Sequence, residues 1–308
     1  MRKKLPNYLI ILCLLIASNS WANEEKDKKD NKDNKEQNID IDKEVINPRL
    51  RAISGSKSKW SLTFTLDYNG GTLVNPFGQV RPDIYGNPEN ETLTSLSGSF
   101  SGRYRFNEKN SVLLGIGMAW LSPLRDDNDP ANGQFSMVNP GVGYSRVERI
   151  GIFQIVSGAD YVHGTSQSYQ EQNLTAFFAL STTLLTNFDN SRFNLGLSLS
   201  FTNYFYSDDP VSEDKRTSYA IGLFPFFEFE ITKVYYFRTV FGYMNYEQLR
   251  GEDDQSVTSM NTAPLYQSVG IGIAISRDIY IYPNIQFLPK DMSTANTNFA
   301  ISATINVL

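Results

Sequence analysis

The sequence has one cysteine, Cys13, and one histidine, His163, among its 308 residues. Cys13 lies in an apolar stretch, residues 8–17, that follows a basic start and precedes the small-x-small pattern at residues 20–22. This order of features predicts a signal peptide over residues 1–22, cleaved after Ala22. The mature chain would then have no cysteine, which excludes disulfides and thiol chemistry.

Long apolar runs are also lacking. After residue 17 no apolar stretch approaches the about 20 residues that a transmembrane helix needs. The formal net charge of −5 disfavours nucleic acid as a partner, and removal of the basic leader makes the chain more acidic still. No spacing in the sequence indicates a cofactor or a metal-ligating cluster, and the acidic runs are typical of solvated loops.

Residues 23–58 differ in composition from the rest of the chain. Up to residue 44 they consist largely of Asp, Glu, Lys, Asn and Gln, and such a segment buries too little apolar surface to offset the entropy of ordering. We expect a disordered, charged periplasmic extension. Two alternatives remain open, namely that it binds peptidoglycan or another periplasmic partner, or that it lies in a barrel as a gate.

From residue 59 onward, apolar and polar residues alternate with a period of two, which indicates β-strands. The clearest case is a hairpin over residues 219–246 with its turn at Thr232 and Lys233. One face of every predicted strand is apolar and free of Asp, Glu, Lys and Arg. The twelve predicted strands span 59–68, 93–106, 111–121, 136–145, 150–162, 173–186, 192–206, 218–231, 234–246, 264–276, 279–288 and 297–308.

These strands predict an all-β fold, a transmembrane antiparallel up-and-down β-barrel over residues 59–308, because their lengths suit tilted strands that cross a bilayer. Links after even-numbered strands are short and links after odd-numbered strands are longer, with the longest at residues 69–92. This asymmetry places both termini in the periplasm. Three prolines fall on the apolar face, Pro140, Pro225 and Pro283, and we expect local bulges there.

Residues 59–308 resemble a bacterial outer-membrane β-barrel protein, similar in size to the twelve-stranded members. The resemblance is architectural and assigns no subfamily. It implies a Gram-negative outer membrane, contact with lipid and lipopolysaccharide, and the barrel-assembly machinery as a partner. One departure is the C-terminus, where the family usually has a lipid-facing Phe and this chain has Leu308 out of phase with the apolar face.

The opposite strand face predicts what lines the lumen. Glu228 and Arg238 should be cross-strand neighbours close enough for an ion pair. Glycines at 115 and 117 on the third strand, and at 270 and 272 on the tenth, should leave room and make the lumen lopsided. The predicted pore-lining residues are Arg103, Arg105, Arg192, Glu228, Glu230, Arg238, Tyr236, Tyr280 and Tyr282.

This lining favours a narrow porin-like channel for passive passage of small solutes, with the charges as a filter and the aromatic rings as a stacking surface. Alternatively, the charges form a salt-bridge network and the rings fill space, which gives a structural anchor or surface-interaction barrel without conductance.

An outer-membrane lipid hydrolase is a further alternative. Outer-membrane phospholipase A is similar in strand number and uses a His-x-Ser-Asn-Gly pattern. His163 is the one candidate base here, but Thr165 stands where the serine should be, and Ser166 is three residues away. We therefore expect no enzyme and assign no catalytic residue.

Overall fold

A computed structural model describes residues 41–84, 90–124, 135–186, 188, 191–209, 215–242, 244–251, 260–262 and 264–307. The predicted signal peptide and residues 23–40 of the predicted extension lie outside the described residues. So do most of the acidic loop residues.

Strands make up most of the described chain, as the alternation predicted. Their bounds are β1 Trp60–Thr72, β2 Val80–Pro82, β3 Glu91–Leu93, β4 Ser95–Arg105, β5 Asn110–Leu121, β6 Phe135–Ile150, β7 Phe153–His163, β8 Leu174–Thr186, β9 Phe193–Tyr206, β10 Thr217–Glu230, β11 Tyr235–Gly242, β12 Met244–Leu249, β13 Asn261–Thr262, β14 Tyr266–Ala274, β15 Ile279–Phe287 and β16 Asn298–Val307.

The strands close into a twelve-stranded antiparallel barrel, which confirms the predicted fold class. Each strand pairs with the next around the ring, β16 lies beside β1, and β10 pairs with β11. β11 and β12 both pair with β10 and form a single position in the ring. β2 and β3 form a separate hairpin within the longest loop. We call the two ends of the barrel the short-turn end and the long-loop end.

The two faces of the strands separate as predicted. Apolar side chains point outward and are exposed, such as Trp60 at 63% and Leu114 at 72%, while Arg105 and Glu228 point inward and are 1% exposed. A barrel with an apolar outer face suits a bilayer, because charge at mid-bilayer costs roughly 2–4 kcal/mol.

One part of the outer face corrects the sequence prediction. β6 continues to Ile150, five residues beyond its predicted end, and this puts Arg146 and Glu148 on the same face as Tyr144. The two charges pair at 3.0 Å, and Lys109 lies 3.4 Å from Glu148. They lie at the short-turn end, and near an interface the cost of such charges falls to about 0–1 kcal/mol.

The predicted proline bulges occur in two of three cases. At Pro140 the register between β5 and β6 shifts, and Asn139 has a φ of 57°. Pro225 keeps its register with β9, but on its other side the register of β10 shifts by one residue between its pairing with β12 and its pairing with β11. Pro283 keeps its register with β16, so the prediction is wrong there.

Three short helical segments complete the described chain. They are a 3₁₀ turn, Ile41–Lys43, then α1, Pro48–Ile53, and α2, Gln167–Glu171. In the described ranges, no helix has the length and apolar character needed to span a membrane. The first two correct the expectation of disorder over residues 41–58. This segment is ordered because the barrel interior gives its apolar and polar groups buried partners.

Candidate functional site

Residues 41–58, which we call the plug, lie inside the barrel at its short-turn end. Ile41, Val45 and Leu50 are fully buried. They belong to one apolar cluster with side chains of the barrel wall, namely Val147, Val156, Leu185 and Phe226. Burial of each such side chain contributes about 1.5–3 kcal/mol, so the plug is held partly by the hydrophobic effect.

Glu228 is the centre of the polar contacts between plug and wall. Its Oε1 accepts from Nε of Arg49 at 2.9 Å and from Nε of Arg238 at 3.2 Å. Its Oε2 accepts from Nδ2 of Asn47 at 2.7 Å. The carboxylate is almost fully buried, and these three donors replace the water that it loses. Asn47 and Arg49 belong to the plug, whereas Arg238 belongs to the wall and is the predicted ion-pair partner of Glu228. Glu228 therefore links the plug to the wall.

The two guanidinium groups also stack on an aromatic ring. Arg49 lies 4.7 Å and Arg238 lies 5.2 Å from the centre of the Phe226 ring, and Arg238 is also 4.9 Å from that of Tyr282. Such contacts stabilise cations by up to about 2 kcal/mol when they are desolvated. The ring of Phe226 therefore supports both arginines that bind Glu228.

Donors from the wall bind the carbonyl groups at the carboxyl end of α1. A helix leaves its last carbonyls unsatisfied, and they carry partial negative charge. Asn306 donates to the carbonyl of Ala52 at 2.7 Å. Arginines donate to the next three carbonyls: Arg103 to Ile53 at 3.1 Å, Arg105 to Ser54 at 2.6 Å and Arg277 to Gly55 at 2.7 Å.

At the start of α1, the wall supplies an acceptor for backbone N–H groups, whereas at the end of the helix it supplies donors for carbonyl groups. Oε1 of Gln154 on β7 accepts from the backbone N–H groups of Ile46 at 2.7 Å and Asn47 at 2.9 Å. Asn47 is the N-cap residue, and its Oδ1 accepts from the N–H of Leu50. Pro48 follows at the first helical position, where its missing N–H costs nothing.

Charged contacts tie the plug to the turns at the barrel rim. Asp42 lies 3.0 Å from Arg277 and 3.1 Å from Lys57. Burial alone would raise the pKa of Asp42, but Arg277, Lys57 and Arg51 together hold this pKa below its ordinary value of 3.8. Glu44 accepts from the backbone N–H of Arg149 at 2.7 Å.

Most of the predicted pore-lining residues contact the plug. Arg103, Arg105 and Glu228 bind it directly, and Arg238 binds it through Glu228. Tyr280 and Tyr282 pack against Ala52 of the plug.

The other three predicted residues lie closer to the turns. Tyr236 is buried and donates to the carbonyl of Lys233, and Glu230 is half-buried at the end of β10. Arg192 is exposed, precedes β9, and accepts from the N–H of Glu230 through its carbonyl.

Five further wall and plug residues were missed by the sequence analysis. They are Asn47, Arg49, Gln154, Arg277 and Asn306. Gln154 and Asn306 lie on the inward strand face, so the alternation already marked them as luminal. Asn47 and Arg49 had no such signal, because they lie in a segment that was expected to be disordered.

Beyond the plug, the lumen has free space beside one of the two glycine pairs for which the sequence predicted it. A cavity of about 330 Å³ lies against β4 to β8, and Gly115 and Gly117 line it. The corresponding space at Gly272 is filled, because the Tyr280 side chain lies across this glycine, where a Cβ would clash with it. The Tyr280 side chain thus occupies the space that Gly272 of β14 would otherwise leave in the lumen.

The longest loop narrows the long-loop end. Arg81 and Ile84 are buried, and Nη2 of Arg81 donates to Gln286 of β15 at 3.0 Å. Asn298 of β16 donates to the carbonyl of Pro82 at 3.0 Å. Gln286 and Asn298 face inward, so this loop packs into the mouth of the barrel.

The residues considered for lipid hydrolysis do not form a catalytic pair. His163 is exposed at the end of β7. The hydroxyl of Ser166 lies 3.3 Å from that of Ser168, and the hydroxyl of Thr165 accepts from the N–H of Asn139 at 2.8 Å. Each hydroxyl is thus directed to a partner other than the imidazole.

The closed ring and the apolar outer face decide the class of protein. This chain is a closed, twelve-stranded antiparallel β-barrel with an apolar outer face. No protein-family model and no curated protein matches its sequence.

Several solved structures are similar to this barrel in architecture. An outer-membrane channel from Pseudomonas putida F1 has 10% sequence identity and a TM-score of 0.49, over 82% of this chain and 96% of that one. The NanC porin has 9% identity and a TM-score of 0.43, over 80% and 97% of the two chains. The KdgM porin in complex with disordered oligogalacturonate has 11% identity and a TM-score of 0.41, over 80% and 98%. At these identities the similarity concerns the barrel alone.

Proposed function

We propose that this outer-membrane barrel is a narrow channel for the passive passage of small solutes, closed at its short-turn end by its own plug. The observation that carries the proposal is that the barrel closes without the plug. The ring of strands is complete from β1 to β16, and residues 41–58 contribute no strand to it.

The contacts of the plug support reversible closure. All described backbone-to-backbone hydrogen bonds of residues 41–58 are internal to the plug, such as Val45 to Ile41 and Ser54 to Leu50. Side chains make the polar contacts across to the wall. The plug can therefore leave without breaking any of the described strand pairs, and its departure would expose a lumen with Arg103, Arg105, Glu228 and Arg238 on its wall.

Planar-bilayer conductance tests this proposal. We expect the wild type to show rare openings and the Arg103→Ala, Arg105→Ala double variant to open frequently, because that variant leaves three carbonyls of the plug, those of Ile53, Ser54 and Ser56, without these donors. Arg146→Ala, on the outer rim, is the matched control and should behave as the wild type. Heat-dependent mobility in gel electrophoresis checks that each barrel is folded.

A barrel without conductance is the second candidate. The burial of Glu228 among three donors favours it, because such a network also stiffens a structure. If the wild type, the folded double variant and a variant that lacks residues 41–58 all show no conductance steps, the channel proposal is wrong and the structural role takes its place.

The same proposal includes the membrane environment, the partners and the orientation of the barrel. The apolar outer face would contact outer-membrane lipid and lipopolysaccharide, and insertion would require the barrel-assembly machinery. Both termini would be periplasmic, so the plug would enter from that side, and a periplasmic partner of residues 23–58 could act on it. Protease added to intact cells should leave the N-terminal segment uncut and should cut it after the outer membrane is permeabilised.

A further inference from the structure

The cavity against β4 to β8 lies between the plug and the long-loop end. Its size of about 330 Å³ is at the lower end of the range for small-molecule sites. Serine and glycine make up much of its wall, with Ser99, Ser101, Gly115, Gly117 and Gly143 among the lining residues. Most of the wall surface is apolar, with Leu113 and Val162 among the lining residues. The serine hydroxyls add polar groups to it, and the glycines leave space that larger side chains would fill.

Asp160 is the one charged residue among those that line this cavity. Its carboxylate lies directly over Gly143, at a place where a Cβ would clash with Oδ1, so the glycine is required for this position. The side chain is half-buried, and within the described part of the chain no hydrogen bond to it is found. Its acceptor positions are thus available to a molecule in the cavity.

The nearest described positive charge is already engaged elsewhere. Arg103 attracts Asp160, but its Nη2 donates to the carbonyl of Ile53 in the plug and its Nη1 donates to the hydroxyl of Ser111. With the plug in place, Arg103 is buried and does not line the cavity. Asp160 therefore gives the cavity a local negative charge.

An aromatic ring lines the same cavity. Phe177 of β8 is among its lining residues, with its ring centre 6.2 Å from that of Tyr169 on α2 and 6.0 Å from that of Tyr204 on β9. Both tyrosine rings pack against the Phe177 ring. Aromatic faces attract cations and stack on flat apolar groups.

We propose that this cavity is a binding site for small organic cations that carry an aromatic group, with Asp160 as the counter-charge and Phe177 as the stacking partner. The inference rests on the proposed channel function and names the class of solute that the channel selects. Binding in this site would place the cation next to the plug, in the path between the two ends of the barrel.

Calorimetry on the full protein in detergent micelles tests the site with three probes of similar shape. They are phenethylammonium, its neutral counterpart 2-phenylethanol, and the phenylacetate anion. We expect the wild type to prefer the cation over both others. Asp160→Asn, which keeps the side-chain shape, should weaken binding of the cation about tenfold or more, a difference of about 1.4 kcal/mol, and leave the neutral probe unchanged.

Two comparisons make the test specific. Asp67→Asn removes another acidic side chain of the inward strand face that does not line the cavity, and it should leave the affinity for the cation unchanged. Phe177→Leu should weaken binding of phenethylammonium more than that of n-butylammonium, which has no ring. Equal affinity of the wild type for all three probes, no binding of the cation at millimolar concentration, or equal effects of Asp67→Asn and Asp160→Asn would overturn the proposal.

The two proposals fail separately. Binding that depends on Asp160, without conductance in any variant, would remove the channel and leave the site. Conductance in the plug variants without selective binding would remove the site and leave the channel.

Discussion

Glu228 binds three donors from two parts of the chain. Arg238 lies opposite it across a tight turn, and the alternation of the two strands was enough to predict their pairing. Arg49 is 179 residues away along the chain. No local pattern relates the two, because their contact depends on the barrel being closed and on the plug being inside it. The sequence therefore predicted one half of this network.

Loss of the Glu228 charge should release the plug. Glu228→Gln leaves Arg49 and Arg238 close together without a counter-charge, and breaking a buried pair typically costs about 3–5 kcal/mol. A thiol at the buried position 54, introduced as Ser54→Cys, reports release through its rate of labelling. A cost of about 3 kcal/mol predicts a labelling rate about a hundredfold higher than with Glu228 present.

Glu230→Gln is the matched control for this experiment. Glu230 lies two residues further along the same strand face, half-buried, at the end of β10. Its substitution should leave the labelling rate close to that of Ser54→Cys alone. Equal acceleration by both substitutions would show that Glu228 has no special role in holding the plug.

At the scale of elements, the strands followed from the sequence. For the plug, the sequence left a position inside the barrel open as one alternative and predicted none of its structure. Alternation predicts a strand because its two faces meet two different environments, lipid and lumen, along the whole length of the strand. The plug lies in a single, enclosed environment that the barrel creates. Its helix has only six residues, too few for a periodic pattern.

The plug should loosen in acid. The charged neighbours of Asp42 lower its pKa, so its attraction to Arg277, Lys57 and Arg51 is fully present above its ordinary value of 3.8 and is lost as the pH falls through the lower value that it has when the plug is seated. Open probability in planar bilayers should therefore rise as the pH is lowered below about 3.8 in the wild type.

Asp42→Asn should reproduce the acid state at neutral pH, with a higher open probability and a weaker dependence on pH. Asp291→Asn, in the turn after β15, serves as a remote control and should keep the wild-type profile. An unchanged acid response in Asp42→Asn would assign the effect to another group.

At the scale of the whole molecule, the outer face should tolerate charge only near its edges. Leu199 lies near the middle of β9 and faces outward. Leu199→Arg should lower the free energy of unfolding in phospholipid vesicles by about 2–4 kcal/mol. Ile150→Arg, at the end of β6 beside the Arg146–Glu148 pair, should lower it by about 1 kcal/mol or less.

Urea unfolding in the vesicles measures both variants. Equal costs at the two positions would mean that the outer face does not lie in a bilayer with β9 crossing its middle. This prediction concerns the fold, and its outcome is independent of whether the barrel conducts.

Asn306 joins the two ends of the chain. Its Oδ1 accepts from the hydroxyl of Thr63 on the first strand, and its Nδ2 donates to the carbonyl of Ala52 in the plug, a contact that spans 254 positions. Contacts between residues this far apart in sequence carry a large loop-closure entropy cost, which slows their formation. The Asn306 amide therefore makes both of its contacts only when two steps of assembly are complete, namely the pairing of β16 with β1 and the entry of the plug into the barrel.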